Sequence, residues 1–133
     1  MLVDTPIWSL ALRRGEHAAA DDRIRAKLAE LIHQGQAHLL GVVRQEVLSG
    51  IREEPQFLRL RDYLRSLPDV PLGFEDYESA AEISNRCRAA GVAGSPVDFL
   101  ICSVSQRRGW DIFTTDTDFE RYGAVVSLKL FGP

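Results

Sequence analysis

Apolar residues recur along this chain in two alternating rhythms: short unbroken runs, and stripes at helical spacing. Met1-Leu2-Val3 reads as a short buried strand, and Asp4 closes it. Thr5-Pro6 supplies a helix start, because proline in a first turn lacks only an N–H that has no partner there. That helix runs from Ile7 to Arg14, and Gly15 breaks it. Asp21 or Asp22 caps a second helix, in which Ile24, Leu28, Leu31 and Ile32 recur at helical spacing until Gly35. His38 to Val42 reads as a second strand, followed directly by a helix through Ile51. Pro55 restarts the chain, and Phe57, Leu60, Leu64 and Leu67 mark an amphipathic helix that Pro68 ends. After a connector to Gly73, Tyr77, Ala80, Ala81, Ser84 and Cys87 form a small-residue stripe on a helix closed by Gly91. Ser95 caps the next helix, with Pro96 in its first position and Val97, Leu100, Ile101 and Val104 as its stripe. Gly109 ends it. Trp110 to Thr114 is a third strand, Asp116 to Tyr122 a short helix or turn, and Val125 to Phe131 a last strand.

Short apolar strands alternating with helices predict an α/β fold: a parallel sheet sandwiched between helices, three layers in all. With no repeats, linkers or low-complexity segments, residues 1–133 are expected to form one domain. Ligands of such sheets bind outside the carboxyl ends of the strands, at a topological switch point. Asp4 and Asp116 follow strand ends, while Glu46 and Asp98 fall in the first turns of helices. All four can therefore reach one crevice.

Composition narrows the setting. The chain is 45% hydrophobic and 26% charged, as soluble domains are. No apolar run approaches the ~20 residues of a membrane span, and Asp4 interrupts the N-terminal apolar stretch too early for a signal peptide. A cytoplasmic protein is expected. Cys87 and Cys102 fall in helical patterns without CxxC spacing, so they read as small buried residues. His17, His33 and His38 make no zinc-like pair and read as surface residues. The net charge of −3 does not exclude a polyanionic partner, because local clusters steer it. Arginine pairs at 13–14, 23–25, 59–61 and 107–108 suit phosphate, although a GC-rich genome produces the same bias.

The chemistry lies in the carboxylates. Two unit charges about 4 Å apart repel by on the order of 4 kcal/mol at an effective dielectric of roughly 20. A divalent cation removes that repulsion, so a crowded acidic cluster suggests a hard-metal site with oxygen ligands. Each acid also has a plainer role available. Asp4 suits a helix N-cap. Ser95 and Asp98 have the spacing of a variant capping box, yet Asp98 is flanked by Val97, Phe99, Leu100 and Ile101, where a carboxylate needs a partner. Glu46 lies about 60° from Val43 around its helix, at the border of the buried stripe rather than across from it. Asp116 and Asp118 compete for the cleft, and Asp116, nearer the strand, is the better candidate.

Four segments in order carry a family likeness: Val3-Asp4-Thr5-Pro6-Ile7-Trp8-Ser9, Arg44-Gln45-Glu46-Val47-Leu48-Ser49-Gly50-Ile51, Ser95-Pro96-Val97-Asp98-Phe99-Leu100-Ile101 and Thr114-Thr115-Asp116-Thr117-Asp118-Phe119. They resemble the PIN-domain ribonucleases, and among these the VapC toxins of bacterial toxin–antitoxin pairs. The resemblance spans the whole chain. It implies catalytic acids at Asp4, Glu46, Asp98 and Asp116, with a hydroxyl before the last matched by Thr115. It implies RNA as substrate, Mg²⁺ or Mn²⁺ as cofactor, a homodimer, and silencing by a small antitoxin protein. Pro6 departs from the serine many relatives carry, which removes a hydroxyl but no carboxylate.

Metal-assisted hydrolysis fits these residues. Asp4 and Asp98 would hold the ion, while Glu46 and Asp116 orient the attacking water or help bind a second ion. The segments Ile24–Ile32 and Phe57–Leu67 offer an apolar groove for the antitoxin, or else simply pack the core. A phosphatase of the haloacid dehalogenase type needs Asp-x-Asp after the first strand, and Pro6 excludes it. A receiver-like signalling domain needs paired acids there, and only Asp4 is present. A housekeeping PIN-type RNA-processing nuclease remains the alternative to a toxin.

Overall fold

The opening apolar run forms the middle of a sheet. The computed structural model describes residues 1–12 and 19–132, and in it Leu2–Val3 is β1, with both side chains fully buried. On one side β1 pairs in parallel with β2 (Ile112–Phe113), Leu2 opposite Ile112 and Val3 opposite Phe113. On the other side Leu2 bridges in parallel to His38, and Leu39 bridges onward to Asp69. β3 (Leu130–Phe131) continues the sheet beyond β2. The order across the sheet is thus residue 69, residues 38–39, β1, β2, β3. Chain order climbs away from β1 on its 38–39 side and jumps forward on its β2 side. The switch point, where parallel sheets open a crevice at their carboxyl ends, therefore lies between β1 and β2.

Among the described residues, seven helices surround these strands: α1 (Thr5–Leu12), α2 (Ala19–His33), α3 (Gly41–Ser49), α4 (Glu54–Leu64), α5 (Phe74–Ala89), α6 (Pro96–Arg108) and α7 (Asp118–Gly123). α1 packs on α2 and on α3, and α5 packs extensively on α6, which also meets β2. The result is the expected three-layer α/β/α fold. Every side chain from Phe99 to Ser105 on α6 is buried, so this helix is the central one. Its N-terminus is built as expected: Ser95 Oγ accepts the Asp98 N–H at 3.1 Å. Its C-terminus turns off through Gly109 at φ 70°, a left-handed conformation that favours glycine.

Several expectations need correction. The strands are shorter than the apolar runs. Leu40 is already the extended N-cap residue of α3, so the run from His38 to Val42 crosses a strand-to-helix junction whose two sides both face the core. Val125 and Val126 do not begin the last strand; their N–H groups donate to the Tyr122 carbonyl at the end of α7. Asp69, within the connector, supplies a bridge residue. α2 begins at Ala19, placing Asp21 and Asp22 in its first turn rather than at its cap. His38 is half-buried, stacked on Trp110 with ring centroids 3.7 Å apart, because the bridge to Leu2 draws it onto the sheet. His33 is exposed and both cysteines are buried, as expected. Arg13, Arg14, the Gly15 break and His17 lie outside the described residues.

Two polar clamps tie helices together. Arg44 on α3 donates to the Asp69 carboxylate at 2.8 Å, to Leu64 O at 2.8 Å and to Leu67 O, closing the C-terminal end of α4. Asp76 in the first turn of α5 is buried and receives Arg107 Nε at 3.0 Å, Arg108 Nη1 at 2.8 Å and the Gly73 N–H at 3.0 Å. These bonds hold its carboxyl down to about 2, the Arg108 guanidinium first among the causes. No described helix is long and apolar enough to cross a membrane.

Candidate metal centre

Asp4 stands at the carboxyl end of β1, immediately before α1. Its own carbonyl accepts the N–H groups of Ile7 and Trp8, so it occupies the capping position its sequence context suggested. Its side chain does something else. Oδ1 accepts the Thr5 N–H at 2.8 Å and Oδ2 accepts the Thr114 hydroxyl at 2.8 Å, across the switch point. Only 4% of Asp4 is exposed, and burial lifts its carboxyl from 3.8 to about 6. The two hydrogen bonds oppose that rise, and the charges of Asp98 and Asp116 add to it.

Asp98, Asp116 and Asp118 each bring a carboxylate oxygen within 4.8 Å of the others. Asp98 arrives from the first turn of α6, and its Oδ2 accepts the Tyr122 hydroxyl at 2.7 Å. Burial, first, raises the Asp98 carboxyl; the Tyr122 bond opposes this and the neighbouring Asp116 charge reinforces it. Asp116 follows β2, where its N–H donates to Thr114 Oγ1 at 3.0 Å. Its Oδ1 in turn accepts the Asp118 N–H at 2.9 Å, a short Asx-type link that folds both acids toward the same place. The choice between Asp116 and Asp118 therefore dissolves: both join Asp98.

Glu46 stands apart from this trio. It is exposed on α3, and its Oε1 accepts the Thr5 hydroxyl at 2.7 Å, one residue from Asp4. Thr5 thus connects Asp4, through its N–H, with Glu46, through its hydroxyl. Thr115, the hydroxyl picked out beside Asp116, is exposed, and Thr114 makes the bonds instead. Sequence reasoning also passed over Thr5, Tyr122 and Asp118's full part. Thr114 lies two residues before Asp116, at the strand end facing Asp4, but its bond to Asp4 spans 110 residues and left no local signal. Tyr122 gave no signal, since its bond to Asp98 spans 24 residues.

Among the described residues, Arg121 is the cation paired with one of these acids, through Nη2 to Asp118 Oδ1 at 3.1 Å. Among the described residues, Asp4, Asp98 and Asp116 accept from hydroxyl and amide donors and pair with no cation. A donor set of carboxylate and hydroxyl oxygens, with excess negative charge, fits a hard divalent cation such as Mg²⁺ or Mn²⁺ and suits soft metals poorly. Cys102 is buried on α6, and its thiol is pushed up, chiefly by burial, so it offers no thiolate ligand.

Fold and site together define a class, an α/β/α domain that gathers acidic oxygen donors where its parallel sheet reverses. Residues 1–125 match the PIN domain family, and the chain belongs to that family, whose members are in general metal-dependent nucleases. Among solved structures, FitAcB from Neisseria gonorrhoeae is similar over 98% of this chain and 96% of that one, with TM-score 0.77 and 18% identity. VapBC2 from Rickettsia felis, bound to a DNA fragment from its promoter, is similar over 98% and 96%, with TM-score 0.74 and 18% identity. A toxin–antitoxin complex from Klebsiella pneumoniae is similar over 98% of both chains, with TM-score 0.65 and 18% identity. At that identity the likeness is one of fold. No curated protein matches by sequence.

Proposed function

We propose that this chain is a Mg²⁺- or Mn²⁺-dependent endoribonuclease and the toxin of a toxin–antitoxin pair. The observation that supports the catalytic half is the gathering of the Asp98, Asp116 and Asp118 carboxylates within 4.8 Å of one another at the sheet's switch point, with Asp4 near enough to feel the Asp98 and Asp116 charges and with hydroxyl donors on Asp4 and Asp98. The Klebsiella pneumoniae complex, similar in fold over nearly the whole chain, supports the toxin half.

Asp4 and Asp98 are the ligand pair, each with one oxygen tied to a hydroxyl and so fixed in direction. A divalent ion held there would supply acidity to a water and neutralise charge on the phosphoryl oxygens. Thr5 and Thr114 hold Asp4 in place from both sides of the crevice. Asp116 completes the negative pocket, with Asp118 linked to it. Glu46, exposed and tethered through Thr5, orients the attacking water or shares a second ion. Neither buried cysteine suits covalent catalysis, and metal-assisted attack by water would need no covalent intermediate.

The test is RNA cleavage by the purified chain with Mg²⁺ or Mn²⁺, with excess EDTA, and with Asp98→Asn. Cleavage that survives EDTA would count against the metal mechanism. Expressed alone in a bacterial host, the wild type should slow growth, and a small neighbouring open reading frame should restore it. Equal harmlessness of wild type and Asp98→Asn would instead favour a housekeeping RNA-processing nuclease.

A further inference from the structure

Asp98 is oriented by a residue that lies outside the acidic constellation. Tyr122, at the end of α7, is fully buried, yet its hydroxyl emerges at the cluster and donates to Asp98 Oδ2 at 2.7 Å. Its ring is wedged between two phenylalanines. Phe99, the next residue along α6 from Asp98, has its ring centroid 5.2 Å away at 57°, and Phe119 lies 5.2 Å away at 78°. The third wall is backbone. A Cβ on Gly94 would fall 2.6 Å from Phe99 Cζ, 2.7 Å from the Tyr122 oxygen and 2.8 Å from Tyr122 Cε1. Distances under 3.0 Å require something to move, so the turn before α6 must lack a side chain at this point for the phenol to reach Asp98.

Each wall removes a freedom. Phe99 and Phe119 hold the ring, and a side chain at position 94 would collide with its oxygen end. A carboxylate with one oxygen engaged by a fixed O–H presents its other oxygen in a fixed direction. Partners of this kind, one bond behind a ligand, typically change metal affinity by roughly 10–100-fold when removed.

We propose that Tyr122, seated by Gly94, is a positioning residue that holds Asp98 in the orientation required to bind the divalent cation. The proposal rests on the metal-dependent reading of the site, and its test separates the two. Mn²⁺ binding to the full chain is measured by calorimetry for wild type, Tyr122→Phe and the exposed control Tyr63→Phe. Tyr122→Phe should bind Mn²⁺ roughly tenfold more weakly, with Tyr63→Phe unchanged. RNA cleavage by Tyr122→Phe should need correspondingly more Mn²⁺ for half-maximal rate and recover most of its rate at saturation. A loss of packing alone would lower the rate at every Mn²⁺ concentration and leave the half-maximal concentration where it was. Because the substitution touches the core, a second measurement keeps the ring in place. The chain has three tyrosines, of which Tyr63 and Tyr77 are exposed, so 3-fluorotyrosine labelling yields one buried ¹⁹F resonance. That resonance should shift on adding Mg²⁺ while the other two stay. Equal Mn²⁺ affinity of wild type and Tyr122→Phe, or a buried resonance indifferent to Mg²⁺ at concentrations the wild type binds, overturns the positioning role and leaves the metal reading standing. A wild type that binds no Mn²⁺ overturns both.

Discussion

Asp4 joins two roles that its place in the sequence allowed separately: its carbonyl starts α1, and its carboxylate accepts the Thr114 hydroxyl beside the acidic cluster, close enough to feel the charges of Asp98 and Asp116. Its raised pKa has a definite sign. A protonated Asp4 suits the metal-free fold better than a charged one, so its contribution to stability is full below 3.8 and is lost as pH rises through about 6. Without metal, Asp4→Asn should therefore raise the melting temperature at pH 8, by the equivalent of about 1–3 kcal/mol, and have little effect at pH 4. With Mg²⁺ the order should invert, since only the wild type gains stability from the ion. Melting curves with and without Mg²⁺ at both pH values test this; identical curves for the two proteins at pH 8 would refute it. RNA cleavage should vanish in Asp4→Asn and in Asp98→Asn, and retained activity in both would overturn the ligand assignment. Asp4, Asp98 and Asp116 could be picked out in the sequence because each lies at a strand end or in a first helical turn; Glu46, expected in a first turn, falls in the second, because α3 already begins at Gly41. The hydroxyl partners could not be. Thr114 reaches Asp4 across 110 residues, and no local rule distinguishes it from Thr115.

At the scale of the elements, the ends of α6 were legible, whereas the start of α2 and the strand lengths were not. Ser95-Pro96 and Gly109 bound α6 because capping and left-handed turns depend on a few adjacent atoms. Strand ends in this sheet depend on neighbours far along the chain, and a fully buried sheet leaves no alternation to read. Asp76 illustrates the same limit. It looks like an ordinary acidic residue in a first turn, yet it joins the start of α5 to the end of α6 through Arg107 and Arg108. The arginine pair at 107–108, considered for phosphate, is thereby engaged within the protein. Asp76→Ala should destabilise the fold by about 2–3 kcal/mol, since it leaves two guanidinium groups without their shared partner. Its lowered pKa places its stabilisation above 3.8, to be lost as pH falls toward about 2. Urea unfolding at pH 7 and pH 2.5 should show a large difference between variant and wild type at the first and a smaller one at the second. An equal difference at both would remove Asp76 from the acid response.

Over the whole molecule, the apolar stripes expected to receive a partner prove to be largely interior. Ile24, Leu28 and Leu31 of α2 and Leu60 and Leu64 of α4 are core residues. What remains between these helices is a cavity of about 360 Å³ edged by Ala29, Ile32 and Tyr63. The larger aromatic exposure is elsewhere. Phe74 is 73% and Tyr77 54% exposed on α5, and Tyr77 borders a cavity of about 410 Å³ lined by Val42, Ala80, Ala81, Val97 and Leu100. Small residues along α5 allow close approach of another backbone, and exposed aromatic side chains beside an apolar hollow are the usual make-up of an interface centre. In a twofold dimer the same patch faces itself, so each aromatic counts twice. The homodimer implied by the family resemblance is thus expected to form across α5 and the start of α6. Light scattering of the wild type at micromolar concentration should give twice the chain mass, and Phe74→Arg with Tyr77→Arg should give the single-chain mass without lowering the melting temperature of the monomer. A dimer that survives both substitutions would move the interface to another face, and a wild type that is monomeric throughout would end the dimer expectation for this chain.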